Sequence, residues 1–338
     1  MGIFSFSRNI GIDMGTSRTR LYVPYRGVVF DEPSIVALEK KEVVCIGGAA
    51  KEMMERANPR TEAREIVICG AIQDEGMVEQ YLRKVFKQSN GIFTFIRRDA
   101  LVGVSTGATS MQQRSAIQTC RRAGMRHVFT EENAILAALG VGMHKDELHG
   151  RMVADIGAGL TETAVISLGG ASSSSTVRVG GNDMDRSIVS YVERQHQLLI
   201  SEGTARRMKE QIGSAMQLVS PKELKVKGGD ARTKLPRVVR ITSNDIADAI
   251  QKEVGMILDA VASVFQSTPP ELTSDIIDRG LILTGGVAKL HGLDTEISKH
   301  INVPVQIADE PEHAVIRGIG RSMQSGHLNF HKWVIRSK

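Results

Sequence analysis

Two acids, each at the end of an apolar run and followed by glycine, are the residues best placed to do chemistry: Asp13 in NIGIDMGTSRTRLYV (9–23) and Asp155 in MVADIGAGLTETAV (152–165). The stretches superpose as apolar strand, Asp, any residue, Gly, then a Thr before an apolar finish, pairing Asp13 with Asp155, Gly15 with Gly157 and Thr19 with Thr161. After the glycines the pattern has a period of two, so each turn joins two strands and opens no helix. That argues against a Walker loop, which also needs GxxxxGK[ST], and against a dinucleotide fingerprint with its following helix. A tight Gly-bearing hairpin instead exposes successive backbone N–H groups to an anion, because glycine takes the required dihedrals and lets a phosphate come close. Thr16 and Ser17 add hydroxyl donors. An acid at the end of each strand would hold Mg²⁺ mainly through water, as Mg²⁺ prefers when it bridges phosphates. The implied ligand is a magnesium nucleotide. The plainer alternative is two ordinary hairpins whose Asp side chains satisfy their own turns; the recurrence, opening two similar halves, favours the ligand and suggests duplicated domains that face each other.

A third stretch has the same character. LILTGGVAKLHGL (281–293) reads as strand, Gly285-Gly286 and helix, so that a helix start and bare backbone can lie against a phosphate or a flat base.

Alternating strands and helices must position these turns. Apolar runs at 9–13, 67–69, 101–105, 152–155 and 281–284 predict strands, and 112–123, 185–199, 204–213 and 244–266 carry helical periodicity. The last helix has Ser243 or Asn244 as its cap, an apolar face through Ile246, Ile250, Val254, Ile257, Leu258 and Val261, and Pro269-Pro270 beyond its end. The fold class is α/β. Segments 31–65 and 220–242 are more charged, with Lys/Glu-rich or Gly-Gly-Asp turns between short strands, and read as smaller excursions from two cores.

Composition narrows the function. A chain of 338 residues suggests about two domains. No apolar run approaches the roughly 20 residues of a spanning helix, and the GIFSF start lacks a signal peptide's basic region and cleavage site, which points to the cytoplasm. Cys45, Cys69 and Cys120 form no CxxC or His cluster, so buried reduced thiols are expected. The net charge is +5, the cations look scattered and only 4% of residues are aromatic, which argues against nucleic-acid binding. An anionic membrane surface stays open.

Two phosphate hairpins and a late Gly-Gly turn are the layout of the actin, sugar-kinase and heat-shock-chaperone ATPase superfamily, and within it the chain resembles the bacterial actins of the MreB/Mbl type. The resemblance runs through RGVVFDEPSIVAL (26–38), VSTGATSMQQRSAI (104–117), TEENAILAALGVG (130–142), VRVGGNDMDRSIVSYV (177–192), TARRMKEQIGSA (204–215), PPELTSDIIDRGLILTGG (269–286) and VPVQIADEPEHAVIRGIGRSM (303–323). It implies an actin-like ATPase fold of two duplicated α/β core domains, each with a smaller subdomain, and a nucleotide in the central cleft. The corresponding boundaries are 1–30, 66–145 and 312–338 for the first core, 31–65 for its small subdomain, 146–181 and 244–311 for the second core, and 182–243 for its small subdomain.

Residue by residue, the resemblance puts Gly15, Thr16, Ser17 and Arg18 in the first phosphate turn and Gly157, Ala158, Gly159, Leu160 and Thr161 in the second. Asp13 and Asp155 would sit near Mg²⁺, Lys209 and Glu210 near the ribose and adenine of ATP or ADP, and Gly285, Gly286, Val287 and Ala288 beside the base and α-phosphate. Glu132 falls where the family orients the attacking water; its plainer role is a charge at a helix start. The implied assembly is a homopolymer of head-to-tail protofilaments, paired, under the inner face of the cell membrane, working with wall-synthesis and shape proteins. A filament with another cargo, such as a plasmid or organelle, is the alternative. A small-molecule kinase would need a general-base Asp motif that is absent, and a chaperone-like ATPase would need a peptide-binding domain after the ATPase.

Departures from the family pattern bear on activity. Its second turn typically reads DIGGGTTE, whereas here it reads DIGAGLTE: Ala158 replaces a glycine, and Leu160 replaces a threonine whose hydroxyl would face the γ-phosphate and the water. Leucine cannot donate a hydrogen bond, and Thr161 points to the opposite face of the strand, so slow hydrolysis with retained binding is expected. Val287 replaces the third glycine of the usual GGG, and Asn133 the usual Pro. Finally, GIFSF (2–6) recurs as GIFTF (91–95), and Ile3, Phe4, Phe6, Ile92, Phe93 and Phe95 are read as a lipid-contacting pair of segments flanked by Arg8, Lys84, Lys87, Arg97 and Arg98. Burying one phenylalanine contributes about 1.5 to 3 kcal/mol and each nearby cation about 1 kcal/mol, which a filament multiplies through avidity.

Overall fold

The computed structural model describes residues 9–55, 62–89, 98–144 and 147–324. The chain forms two compact units, Met1–Glu147 with His313–Lys338, and Leu148–Glu312. The first unit runs β1 (Asn9–Met14), β2 (Arg18–Val23), β3 (Gly27–Pro33), β4 (Ile35–Glu39), β5 (Glu42–Ile46), α1 (Gly47–Glu55), β6 (Glu62–Glu65), β7 (Val67–Ile68), β8 (Ala71–Ile72), α2 (Glu75–Gln88), β9 (Asp99–Val104), α3 (Ser110–Arg122), β10 (Val128–Glu132) and α4 (Asn133–Gly140). The second carries β11 (Arg151–Ile156), β12 (Thr161–Ser167), β13 (Gly170–Val177), α5 (Gly181–His196), β14 (Leu198–Leu199), α6 (Glu202–Ile212), β15 (Glu223–Asp230), β16 (Pro236–Thr242), α7 (Ser243–Gln266), α8 (Pro270–Arg279), β17 (Leu281–Thr284), α9 (Leu293–Ile301) and β18 (Val305–Ile307). The chain then rejoins the first unit in α10 (Ala314–Gln324).

The sequence echo becomes a topological one. One five-stranded sheet has the order β3-β2-β1-β9-β10 and the other β13-β12-β11-β17-β18, so in each the first strand opens an antiparallel three-strand meander on one side and is flanked by two parallel strands on the other. Strands β1 and β11 sit mid-sheet between packed helices, which is why they read as apolar runs without clean alternation. Ile10 and Ile12 pack in a core with Leu21, Val78, Tyr81, Leu82 and Val102. Met152, Ala154 and Ile156 pack in another with Val165, Met184, Ile188 and Ile257. A smaller sheet of order β5-β4-β6 falls in the charged excursion 31–65, and β15 and β16 fall in 220–242, where they form a second small sheet with the earlier strand β14 in the order β14-β15-β16.

Several boundaries differ from the sequence reading, each for a local reason. Thr242 caps α7: its hydroxyl accepts from Asp245 N, and Asp245 Oδ2 accepts from Thr242 N at 2.7 Å. Ser243 and Asn244 instead tie down the preceding loop through Lys222 and Leu218. Helix α5 starts at Gly181 and stops at His196, because Gln197 takes a left-handed conformation and Leu198–Leu199 pair with β15. Gly228, Gly229 and Asp230 belong to β15 and not to a turn. After Gly285 the chain makes only a short 3-10 turn, Gly286–Lys289, and no α-helix. Cys120 is buried, which pushes its thiol up to about 12, whereas Cys45 and Cys69 are half-buried. Among the described residues no helix is long and apolar enough to cross a membrane. The GIFSF and GIFTF residues lie outside the described residues; Arg98, expected as a flanking surface cation, is buried.

Candidate functional site

In the first unit the turn Gly15–Arg18 joins paired Met14 and Thr19, and Gly15 N donates to Arg18 O at 3.0 Å. The scaffold takes the turn's carbonyls: Ser34 Oγ donates to Gly15 O at 2.6 Å and Ser34 N to Ser17 O at 3.0 Å. In the second unit Gly157–Leu160 joins paired Ile156 and Thr161, and Gly157 N donates to Leu160 O at 2.8 Å. Here the start of α5 does the buttressing, with Gly181 N on Gly157 O (3.0 Å) and Asn182 N on Ala158 O (2.8 Å). A methyl group at Gly180 would lie 2.6 Å from both carbonyl oxygens, so the helix can approach only without a side chain there. In both turns the amides of the two central residues, Thr16 and Ser17, and Ala158 and Gly159, meet no acceptor among the described residues. Partially buried N–H groups whose neighbouring carbonyls are tied behind them form an anion cradle.

Charge is arranged around each turn. Glu131, Gly103, Asp13, Arg20 and Asp31 occupy successive positions of one cross-strand row on β10, β9, β1, β2 and β3. Arg20, only 8% exposed, bridges Asp13 (3.5 Å) and Asp31 (3.3 Å), and Arg18 Nε donates to Asp31 Oδ1 at 2.5 Å. Burial pushes the Asp13 carboxyl up against the pull of Arg20. For Asp31 burial also pushes upward, but its bonds to Arg18 and Arg20 prevail and hold it low. Glu132 ends β10 and stands at the cap position of α4 without a side-chain cap bond; Thr106 Oγ1 accepts from Ala134 N instead (3.1 Å). Burial raises the Glu132 carboxyl. Thus Asp13, the first turn and Glu132 share the carboxyl ends of strands in one sheet, where open α/β sheets bind ligands.

The second unit assembles the remaining expected residues. Asp155 Oδ1 accepts from Thr284 Oγ1 at 3.0 Å. Gly285, at φ +82°, passes so close to β11 that a Cβ would sit 2.3 Å from Ile156 O, which only glycine tolerates. Val287 Cγ2 and Lys209 Nζ both converge on Gly181, 3.1 and 3.2 Å from where its Cβ would be. Lys209 Nζ donates to Gly181 O and lies 2.6 Å from Asp185 Oδ1, and Arg206 Nε donates to Asp185 Oδ2 at 2.9 Å. Burial pulls the Lys209 ammonium below its ordinary range, opposed by Asp185. Glu210 is exposed, and Gly286 and Ala288 lie in the 3-10 turn. Thr161 is fully buried and its hydroxyl donates to Val179 O at 2.9 Å, so it does not substitute for the missing threonine hydroxyl. Leu160 is 8% exposed and fills its place with apolar surface.

Sequence reasoning missed Arg20, Ser34, Asp185 and Thr284. Asp185 carried a usable signal: it shares the buried stripe of α5 with Met184, Ile188 and Val192. Arg20 and Ser34 carried none, because strand pairing alone brings them to the turn.

The family model for MreB/Mbl protein matches residues 7–329. The chain belongs to the MreB/Mbl family. Among curated MreB/Mbl relatives, the cell shape-determining protein Mbl of Bacillus cereus is 36% identical over 322 residues, covering 95% of this chain and 97% of that protein. The cell shape-determining protein MreB of Escherichia coli K12 is 38% identical over 327 residues, 94% of each. Among solved structures, MreB5 of Spiroplasma citri bound to ADP has a TM-score of 0.90 at 27% identity, covering 96% of this chain and 98% of its own. The MamK double helical filament has a TM-score of 0.76 at 18% identity, covering 94% and 98%, and bears on the fold alone, which is actin-like.

Proposed function

We propose that this chain is an ATP-binding cytoskeletal protein whose filaments, associated with the membrane, organise wall synthesis and cell shape. The observation that carries the nucleotide part is the pair of equivalent turns, each with tethered carbonyls and uncommitted amides. The S. citri MreB5 structures, bound to ADP and to AMPPNP, support it. The curated relatives named as cell shape-determining support the cytoskeletal part.

The donor set fits Mg²⁺, which takes one or two carboxylates and completes its shell with water and phosphate oxygens. Asp155 suits this role, being half-buried at the end of β11 with its Oδ1 oriented by the Thr284 hydroxyl. Asp13 already has Arg20 as its counter-charge and would act through water. The ion would neutralise phosphate charge. The amides of Thr16, Ser17, Ala158 and Gly159 would orient the phosphates, Lys209 and Glu210 the ribose and adenine side, and Glu132 the attacking water.

Sedimentation of the purified chain with Mg-ATP, followed by electron microscopy, tests the reading. Nucleotide-dependent pelleting into paired protofilaments is expected; a protein that stays in the supernatant and binds no nucleotide overturns it. For the membrane part, replacing Phe4, Phe6, Phe93 and Phe95 with Ser should abolish co-sedimentation with anionic liposomes while filaments still pellet. Unchanged liposome binding would remove those phenylalanines from the contact.

A further inference from the structure

Between Lys222 and Arg240 lie seven cations and two acids, a net of +5 that equals the charge of the whole chain. Cations that look scattered along the sequence are gathered by β15 and β16, which pair antiparallel in unbroken register from Glu223 opposite Thr242 to Gly229 opposite Pro236. Val226 and Ile241 are buried in the second unit's core, while Lys225, Lys227, Val238 and Arg240 are exposed on the other face. Lys225 stands directly opposite Arg240. Like charges in that relation destabilise an antiparallel pair. Glu223 lies 3.9 Å from Arg240, and both side chains are more than half exposed, so the pair relieves little.

The hairpin also ends its sheet, because β16 is an edge in the order β14-β15-β16. Asp230 N donates to Leu235 O at 2.8 Å, so the bonded pairs recur at Gly228 with Arg237, Val226 with Val239 and Leu224 with Ile241. Pro236, Val238, Arg240 and Thr242 therefore aim their backbone groups away from β15. Proline has no N–H, and Thr242 N is taken by Asp245. Val238 and Arg240 are left with outward N–H and C=O groups and with side chains 56% and 72% exposed. Edge strands are commonly guarded by lysine or proline. Pro236 guards one end in that way, but Lys225 and Lys227 lie on the central strand, where they guard no edge.

We propose that the β16 edge docks an extended acidic segment of another polypeptide. The segment adds as a strand through the N–H and C=O groups of Val238 and Arg240, and its carboxylates face Arg240 and the lysines of β15. A second copy meeting edge to edge would bring the same cations together, and a lipid surface would leave the outward backbone groups unused.

The test is fluorescence anisotropy of the full chain with a short labelled peptide that alternates Asp/Glu with Val/Ile, against a twin of equal charge N-methylated at alternate residues. The unmodified peptide should bind, and the twin about tenfold or more weakly. Val238→Pro removes an N–H that faces away from β15 and so leaves the ladder intact; it should weaken binding about tenfold, and Arg240→Glu at least as much. Equal binding of the two peptides means charge attraction alone and overturns the proposal. So does binding of phosphatidylserine vesicles, lost in Arg240→Glu, with neither peptide bound. If Val238→Pro fails to fold by circular dichroism, the peptide pair on the unaltered chain decides.

Discussion

Leu160→Thr should raise the rate of phosphate release from nucleotide-loaded filaments by about 10²-fold, the scale of one polar transition-state contact. Leu160 is buried beside a turn whose free amides can hold phosphate without it, so nucleotide affinity should change far less than turnover. The neighbouring hydroxyl does not compensate, because Thr161 is committed to Val179 O. Removing buried leucine surface costs of order 1 to 3 kcal/mol, which thermal unfolding would register separately from the rate. Adding Glu132→Gln to the variant should return turnover to the slow level. The measurement is single-turnover phosphate release on pelleted filaments. An unchanged rate in Leu160→Thr, or an unaltered chain as fast as a relative with an intact DIGGGTTE turn, would show that Leu160 sets no limit.

The largest stability effect is expected from Asp185→Ala. This fully buried carboxylate holds both Arg206 and Lys209, and Lys209 is itself largely enclosed. Deleting one partner of a buried pair strands the other in a low-dielectric site, at a cost of about 3 to 5 kcal/mol. Here a cation would be stranded at Gly181, next to the turn that Gly181 N and Asn182 N buttress. Urea denaturation followed by circular dichroism should show the midpoint fall sharply, with Asp185→Asn intermediate because it keeps the shape and one of the two acceptor oxygens. A midpoint within experimental error of the unaltered chain would mean that the two cations find other partners.

Much of the fold was legible because it rests on local pattern. The Asp-x-Gly echo located both hairpins, and the structure closes them with the same bond, Gly15 N to Arg18 O and Gly157 N to Leu160 O. The apolar face of α7 named Ile246, Ile250, Val254, Ile257 and Val261, which are buried, and Leu258, which is half-buried. Reading failed where neighbouring residues of similar propensity compete. Thr242, Ser243 and Asn244 all suit a helix cap, and only the loop that takes the last two as partners left Thr242 with the role. It failed again at Gly285, where two glycines before an apolar residue suggest an α-helix start, but the first glycine serves the close passage over Ile156 and the chain after it makes only a 3-10 turn.

Sequence by itself determined the α/β class, the paired turns, the family and the oddity of Leu160, since each is carried by residues adjacent in the chain or repeated along it. Only the tertiary structure decided what lies beside those residues: Arg20 on Asp13, Ser34 behind the first turn, α5 behind the second, Asp185 under Lys209, and Lys225 against Arg240. Those neighbours come from strand register and helix packing between distant segments. One residue of slip in register would exchange every one of the strand partners, and no local pattern records it.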